Sequence, residues 1–171
     1  MLPALLFGTL SVLAPVRLVD LGFGAAALGA TWLTSAALEA GLSPTIGHVS
    51  DRVGRIPPIL AGLGGSTVVL LVLPWPDDPY VLAACVVAAG LAFGSFWTPA
   101  MSLLSDAASD QGLDYGYAFA LVNLAWAPGQ AGGAWLSGGL AAATSDAVAY
   151  LSLAALCTLT LAALWRSRSS S

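Results

Sequence analysis

The chain has 171 residues, of which 58% are hydrophobic and only 8% charged, with a formal net charge of −4. A soluble domain carries about 25% charged residues, so no soluble surface can be built from this inventory and the bilayer must solvate most of the outside. The acids lie mostly at segment ends, and without a basic footprint no nucleic-acid partner is expected.

A helix that spans a bilayer needs about 20 mostly apolar residues. Six segments qualify, at about 3–20, 25–47, 58–75, 80–104, 114–140 and 146–165. The first has an apolar run from Leu2 to Val16 but neither a basic n-region nor a small-x-small cleavage site. It reads as a spanning helix, not a signal peptide. So abrupt a start points to an origin inside a longer ancestral protein. Arg17 follows Pro15 near its end and either snorkels to headgroups or contacts an anion in a cavity mouth. The second segment carries Thr31, Ser35, Glu39 and Ser43 at intervals of four, a polar stripe on one face.

Residues 47–55 then read Gly-His-Val-Ser-Asp-Arg-Val-Gly-Arg, the densest charge in the chain. His48 beside this hinge reads as a solvated loop residue. The third segment has only Ser66 and Thr67 as polar interior residues, and Pro74, Pro76 and Pro79 separate it from the fourth. The fourth shows Ser95, Thr98, Ser102 and Ser105 in helical rhythm, with Trp97 among them and a GxxxG at Gly90 and Gly94. The fifth places Asn123, Trp126, Gln130, Gly133 and Ser137 on one face, with a second GxxxG at Gly129 and Gly133. The sixth has Ser152, Thr158 and Thr160, hydroxyls that can bond back to their own helix. The third and sixth segments therefore suit lipid, whereas the stripes of the second, fourth and fifth must face protein or water.

Short connections predict one all-α bundle over residues 1–171. Arginine placement sets its orientation. Arg52, Arg55, Arg166 and Arg168 fall on one side, with both termini, and that side is the cytoplasm. Arg17, Asp77, Asp78 and Asp146 fall outside. The cell (inner) membrane is the expected location. Cys85 and Cys157 lie in apolar stretches and read as packing residues; no metal, disulfide or cofactor is expected.

Glu39 is the only glutamate and sits mid-segment. It reads either as a protonatable group that couples proton movement to transport or as a neutral carboxyl bonded to a neighbouring helix. Asn123 and Gln130, with the flat rings of Trp97 and Trp126, either line a cavity for an amphipathic small molecule or glue helices together. Hydrolase, metalloprotease, P-loop and dinucleotide signatures are missing, so no enzyme is expected.

The hinge Gly47-x-Val49-Ser50-Asp51-Arg52-x-Gly54-Arg55 resembles the loop signature of the major facilitator superfamily, which joins the second and third helices of each six-helix half. Ile56 stands where the family usually has a further basic residue. The resemblance implies a cytoplasmic gate in which Gly47 and Gly54 permit tight backbone. In it Asp51 faces a helix N-terminus of the opposite half, and Arg52 and Arg55 supply the charge. Arg55 would bridge to an acid at the inner end of the fourth helix, where Asp106 is suitably placed. Asn123-Leu-Ala-Trp126-x-x-Gly129-Gln130-x-x-Gly133, followed by Gly138, is similar to the fifth helix of a drug-exporter-type half. That pattern, with the Arg-Ser tail, implies the C-terminal half. The implied fold is two inverted three-helix repeats, in which the first and fourth helices line a cavity and the second and fifth meet the other half. Arg17, Trp97, Asn123, Trp126 and Gln130 are then cavity or half–half interface candidates, and Gly90, Gly94, Gly129, Gly133 and Gly138 helix-packing positions. The implied function is secondary transport of a small molecule by alternating access, proton-coupled, with a second half or a copy of the chain as partner. The alternative is a truncated or non-transporting membrane scaffold that associates through its glycine faces.

Overall fold

A computed structural model describes residues 1–169, with side chains through Arg166. The expectation for the Arg168 side chain lies outside the described residues. The helices are α1 (Leu2–Asp20), α2 (Ala25–Val53), α3 (Ile56–Val72), α4 (Pro79–Ser95), α5 (Trp97–Asp110), α6 (Tyr115–Ala143) and α7 (Asp146–Ser169). Among the described residues there is no strand.

Two boundaries differ from expectation. The second span runs on to Val53 where the sequence suggested an end near 47, so most of the charged hinge, His48 included, is helical. Gly47 and Ser50 do not stop a helix that is packed on its neighbours. Gly54 does, because its φ of 90° is open to glycine alone at little cost. The fourth span, expected as one helix over 80–104, is broken at Phe96 into α4 and α5 and reaches Asp110. Pro99 has no N–H to offer the Ser95 carbonyl four residues back, which loosens the turn at the break. The two pieces still form one rod of membrane length, Pro79–Asp110.

Six rods therefore make a polytopic membrane bundle. Leu2–Asp20, Pro79–Asp110 and Asp146–Arg166 are long and apolar enough to cross a membrane on length and composition alone, and α3 is apolar but shorter. α2 and α6, at 29 residues each, have the length but dilute their apolarity with polar residues. Asp78 caps α4 by accepting from Tyr80 N at 2.9 Å and Val81 N at 3.0 Å, and Asp114 caps α6 by accepting from Gly116 N at 2.7 Å.

Packing follows a twofold rule. α1 lies along α6, α2 lies along α4, and α3 lies along α7. Exchange the first three rods for the last three and the pairing is unchanged, the mark of an inverted internal repeat. The core gathers on α1 and α4, around Leu6, Leu10, Val86 and Phe93, with α3 and α7 closing it from behind. α2 and α6 are left largely uncovered. α2 buries only Thr31, Ser35 and Ser50, and α6 only Ala118, Gly129, Gly133 and Ser137.

Small residues decide the crossings, because lipid provides no hydrophobic drive between helices. A Cβ added to Gly133 would fall 2.8 Å from Leu5 Cα, and one on Gly129 would fall 2.9 Å from Ala4 Cβ. Thr9 Oγ1 donates to the Gly133 carbonyl across the same crossing at 3.4 Å. Gly138 is looser, its added Cβ meeting Val12 Cγ1 at 3.7 Å. Gly133→Leu should therefore lower thermal stability in mild detergent by about 1–3 kcal/mol, the usual cost of overpacking, while Gly138→Ala leaves it unchanged. Equal melting temperatures for the two variants would contradict the close α1–α6 crossing.

Candidate functional site

The polar stripe of α2 finds its counterpart in the glycines of α4. Ser35 packs over Gly90 and Glu39 over Gly94, where an added Cβ would lie 3.4 Å from Ser35 Cβ and 3.0 Å from Glu39 Cγ. Missing side chains on α4 thus let the Glu39 carboxyl lie flat against a helix backbone. Among the described residues it has no hydrogen-bond or ion-pair partner. Its carboxyl opens instead into a cavity of about 290 Å³ lined by Phe7, Glu39, Trp97, Asn123, Trp126 and Gln130.

The cavity walls come from four elements. Trp97 is the first residue of α5, so the break at Phe96 aims it inward. It meets Trp126 of α6 edge-on, with centroids 4.7 Å apart and planes at 77°. Phe7 of α1 sits 5.9 Å from Trp126 and 5.7 Å from Phe93, which ties the aromatic wall to the core. Trp126 Nε1 donates to Gln130 Oε1 at 3.1 Å, and Asn123 Nδ2 donates to the Phe119 carbonyl at 3.1 Å. These bonds stay within α6 and leave the Gln130 amide N–H groups and the Asn123 carbonyl oxygen for a ligand. Among the described residues no basic side chain lines the cavity.

A second cavity of about 400 Å³ lies beside it, lined by Arg55, Trp97, Met101, Ser105 and Asp106 among others. Trp97 belongs to both cavities and forms the partition between them. At the far wall Arg55 Nε lies 3.6 Å from Asp106 Oδ2, and Arg55 Nη1 donates to Asp51 Oδ1 one turn back on α2. Asp51 therefore spends its charge on Arg55 within this chain. The Asp51 hydrogen bond, foremost, and the fields of both carboxylates hold the Arg55 guanidinium proton above its usual range, so the cation persists at any working pH. Gly47 lets α2 approach α5, with Thr98 Cγ2 3.7 Å from where a Cβ would stand. Ser50 is buried nearby, and its hydroxyl has no partner among the described residues. Arg52 is exposed.

One candidate is not brought to the cavity. Arg17 sits at the opposite end of the bundle, where Nη2 binds Asp77 Oδ1 at 3.1 Å and staples α1 to the α3–α4 connection. An acid 60 positions away neutralises it, so neither a headgroup nor a ligand anion is needed. Sequence reasoning missed one residue and one role. Phe7 was hidden in a plain apolar run, its only signal being that it is the sole aromatic residue of α1. The partition role of Trp97 had no signal, because it depends on the break at Phe96.

A family model described as Major Facilitator Superfamily matches residues 1–171. No curated protein and no solved structure matches the chain.

Proposed function

The chain belongs to the major facilitator superfamily, a family of membrane transporters, and on that premise we propose that it forms one half of a proton-coupled secondary carrier that works by alternating access. The observation that carries this reading is the Glu39 carboxyl, unpartnered among the described residues, in an aromatic cavity flanked by two long helices that bury few of their residues. A carboxyl at that depth is costly when charged, about 3 kcal/mol on insertion scales, so it is poised to take up and release a proton. The faces of α2 and α6 want a second six-helix half, on another polypeptide or as a copy of this chain, and that half closes the cavity. The α6 motif and the positions of the arginines support a C-terminal, drug-exporter-type half working in efflux. It sits in the cell membrane with residues 51–55 and both termini in the cytoplasm.

Arg55, held by Asp51 and approached by Asp106, acts in this scheme as the latch on the cytoplasmic side. The partition Trp97 separates the substrate cavity from the vestibule behind the latch. A single carboxyl, two indole rings and, among the described residues, no basic lining residue favour an amphipathic substrate that is neutral or cationic over an anionic one. Trp126→Ala should weaken apparent affinity for a cationic amphipath about 3- to 30-fold, the range expected for a lost cation–π face. Competition binding to the purified carrier checks this, and an unchanged affinity would remove Trp126 from the site.

The test of the half-carrier reading is photocrosslinking in native membranes from Leu33 on α2 and Leu124 on α6, both 71% exposed. Adducts with a second six-helix polypeptide, or with another copy of the chain, are expected from both positions. Adducts with lipid alone would favour a bundle that stands by itself and transports nothing.

A further inference from the structure

One flank of α3 is not closed by protein. Leu42, Ile46, Val49 and Val53 on one face of α2 stand across from Ala61 and Gly65 of α3, with a groove of about 600 Å³ between the helices. Its two hydroxyls are those of Thr45 and Ser95, and that of Ser95 donates to the Ala92 carbonyl at 2.8 Å. Leu42, Val49 and Val53 are 44–56% exposed, so the described residues leave about half of each uncovered.

The dimensions select the occupant. From Leu42 to Val53 the helix rises about 16 Å, which is half of a hydrocarbon core about 30 Å thick. The groove is thus one leaflet deep. An extended hydrocarbon chain of that length can lie along its apolar lining.

Charge at the mouth selects the headgroup. Arg52 stands beside Val53 in the last turn of α2, exposed, and forms no ion pair among the described residues. Arg55 is already engaged by Asp51 and Asp106. The first turn of α3 carries Pro57 and Pro58, which have no N–H, so that helix end offers an anion little. Recognition of an anion therefore falls to the Arg52 guanidinium, whose fork matches a phosphate.

We propose that the α2–α3–α4 groove binds one acyl chain of an anionic phospholipid, whose phosphate is held by Arg52. The bound lipid seals the flank of α3 and ties the end of α2 to the membrane surface.

The experiment uses the purified chain in nanodiscs of phosphatidylcholine doped with either phosphatidylglycerol or phosphatidylcholine that carries a photoreactive group on one acyl chain, with adducts mapped by mass spectrometry. Phosphatidylglycerol should label the 42–65 region about fivefold more than phosphatidylcholine does, the ratio expected from one arginine at the surface. Arg52→Ala should reduce that ratio to one while leaving phosphatidylcholine labelling unchanged. Ala61→Phe, which fills the groove, should move both labels away from Val49. If that variant misfolds, Gly65→Val makes the same test, since an added Cβ there lies 3.6 Å from its nearest neighbour. Equal labelling by the two lipids, a ratio insensitive to Arg52→Ala, or labels spread evenly around the bundle would each overturn the proposal.

Discussion

Glu39→Gln is expected to abolish the proton-driven component of flux in vesicles that hold the completed carrier, while exchange of substrate down its own gradient continues. The amide keeps the size and polarity of the side chain, so it still lies over Gly94 and the α2–α4 contact survives. What it loses is the ability to gain and release a proton. Because the carboxyl has no partner among the described residues, no bond is broken and no buried charge is stranded. Protein yield and thermal stability should match the parent. The reading is checked by imposing a pH gradient and following both substrate and internal pH. An active Glu39→Gln preparation that still accumulates substrate against its gradient would remove the residue from coupling.

The proposed latch supplies the second large effect. Arg55→Ala removes a cation shared by Asp51 and Asp106 on two different rods. Those carboxylates are 64% and 61% exposed, and an ion pair in water adds little to stability. Folding and membrane insertion should therefore be unaffected. The state in which α2 and α5 are tied together loses its tie, so the equilibrium between open and closed forms shifts and turnover falls. Arg55→Lys should restore part of it, because a point charge still reaches both acids but the planar fork does not. Single-molecule distances across the vestibule, or the rate of substrate exchange, read the shift. An Arg55→Ala variant that cycles at the parental rate would reduce the cluster to a helix-end decoration.

Periodicity carried much of the fold. The interval of four that puts Ser35 and Glu39 on one face of α2 is visible in the sequence, because a helix repeats every 3.6 residues whatever it packs against. That Gly90 and Gly94 would lie under those two residues was not legible, since register between helices is fixed by packing across the bundle. The extension of α2 through the hinge was missed for a related reason. Glycine and serine lower helix propensity by amounts that tertiary contact easily overrides, and only the positive φ of Gly54 ends the rod. The break at Phe96 was missed although Pro99 stands in the sequence, because a proline inside a spanning helix need not break it. Arg17 was read alone, although its partner Asp77 was plainly in the sequence, because contacts between distant connections leave no periodic trace. Arg55 and Asp106 were put together by resemblance and not by pattern, and they lie 3.6 Å apart.

The central claim is that a cavity beside Glu39 opens to water on alternate sides of the membrane. It is tested most directly by the thiol accessibility of Asn123→Cys in a background with Cys85→Ser and Cys157→Ala, using a membrane-impermeant reagent applied from either side. Labelling from both sides, shifted toward one by Arg55→Ala and slowed by substrate, is the predicted result. A thiol at 123 that reacts from neither side, and only with reagents dissolved in lipid, would contradict the account.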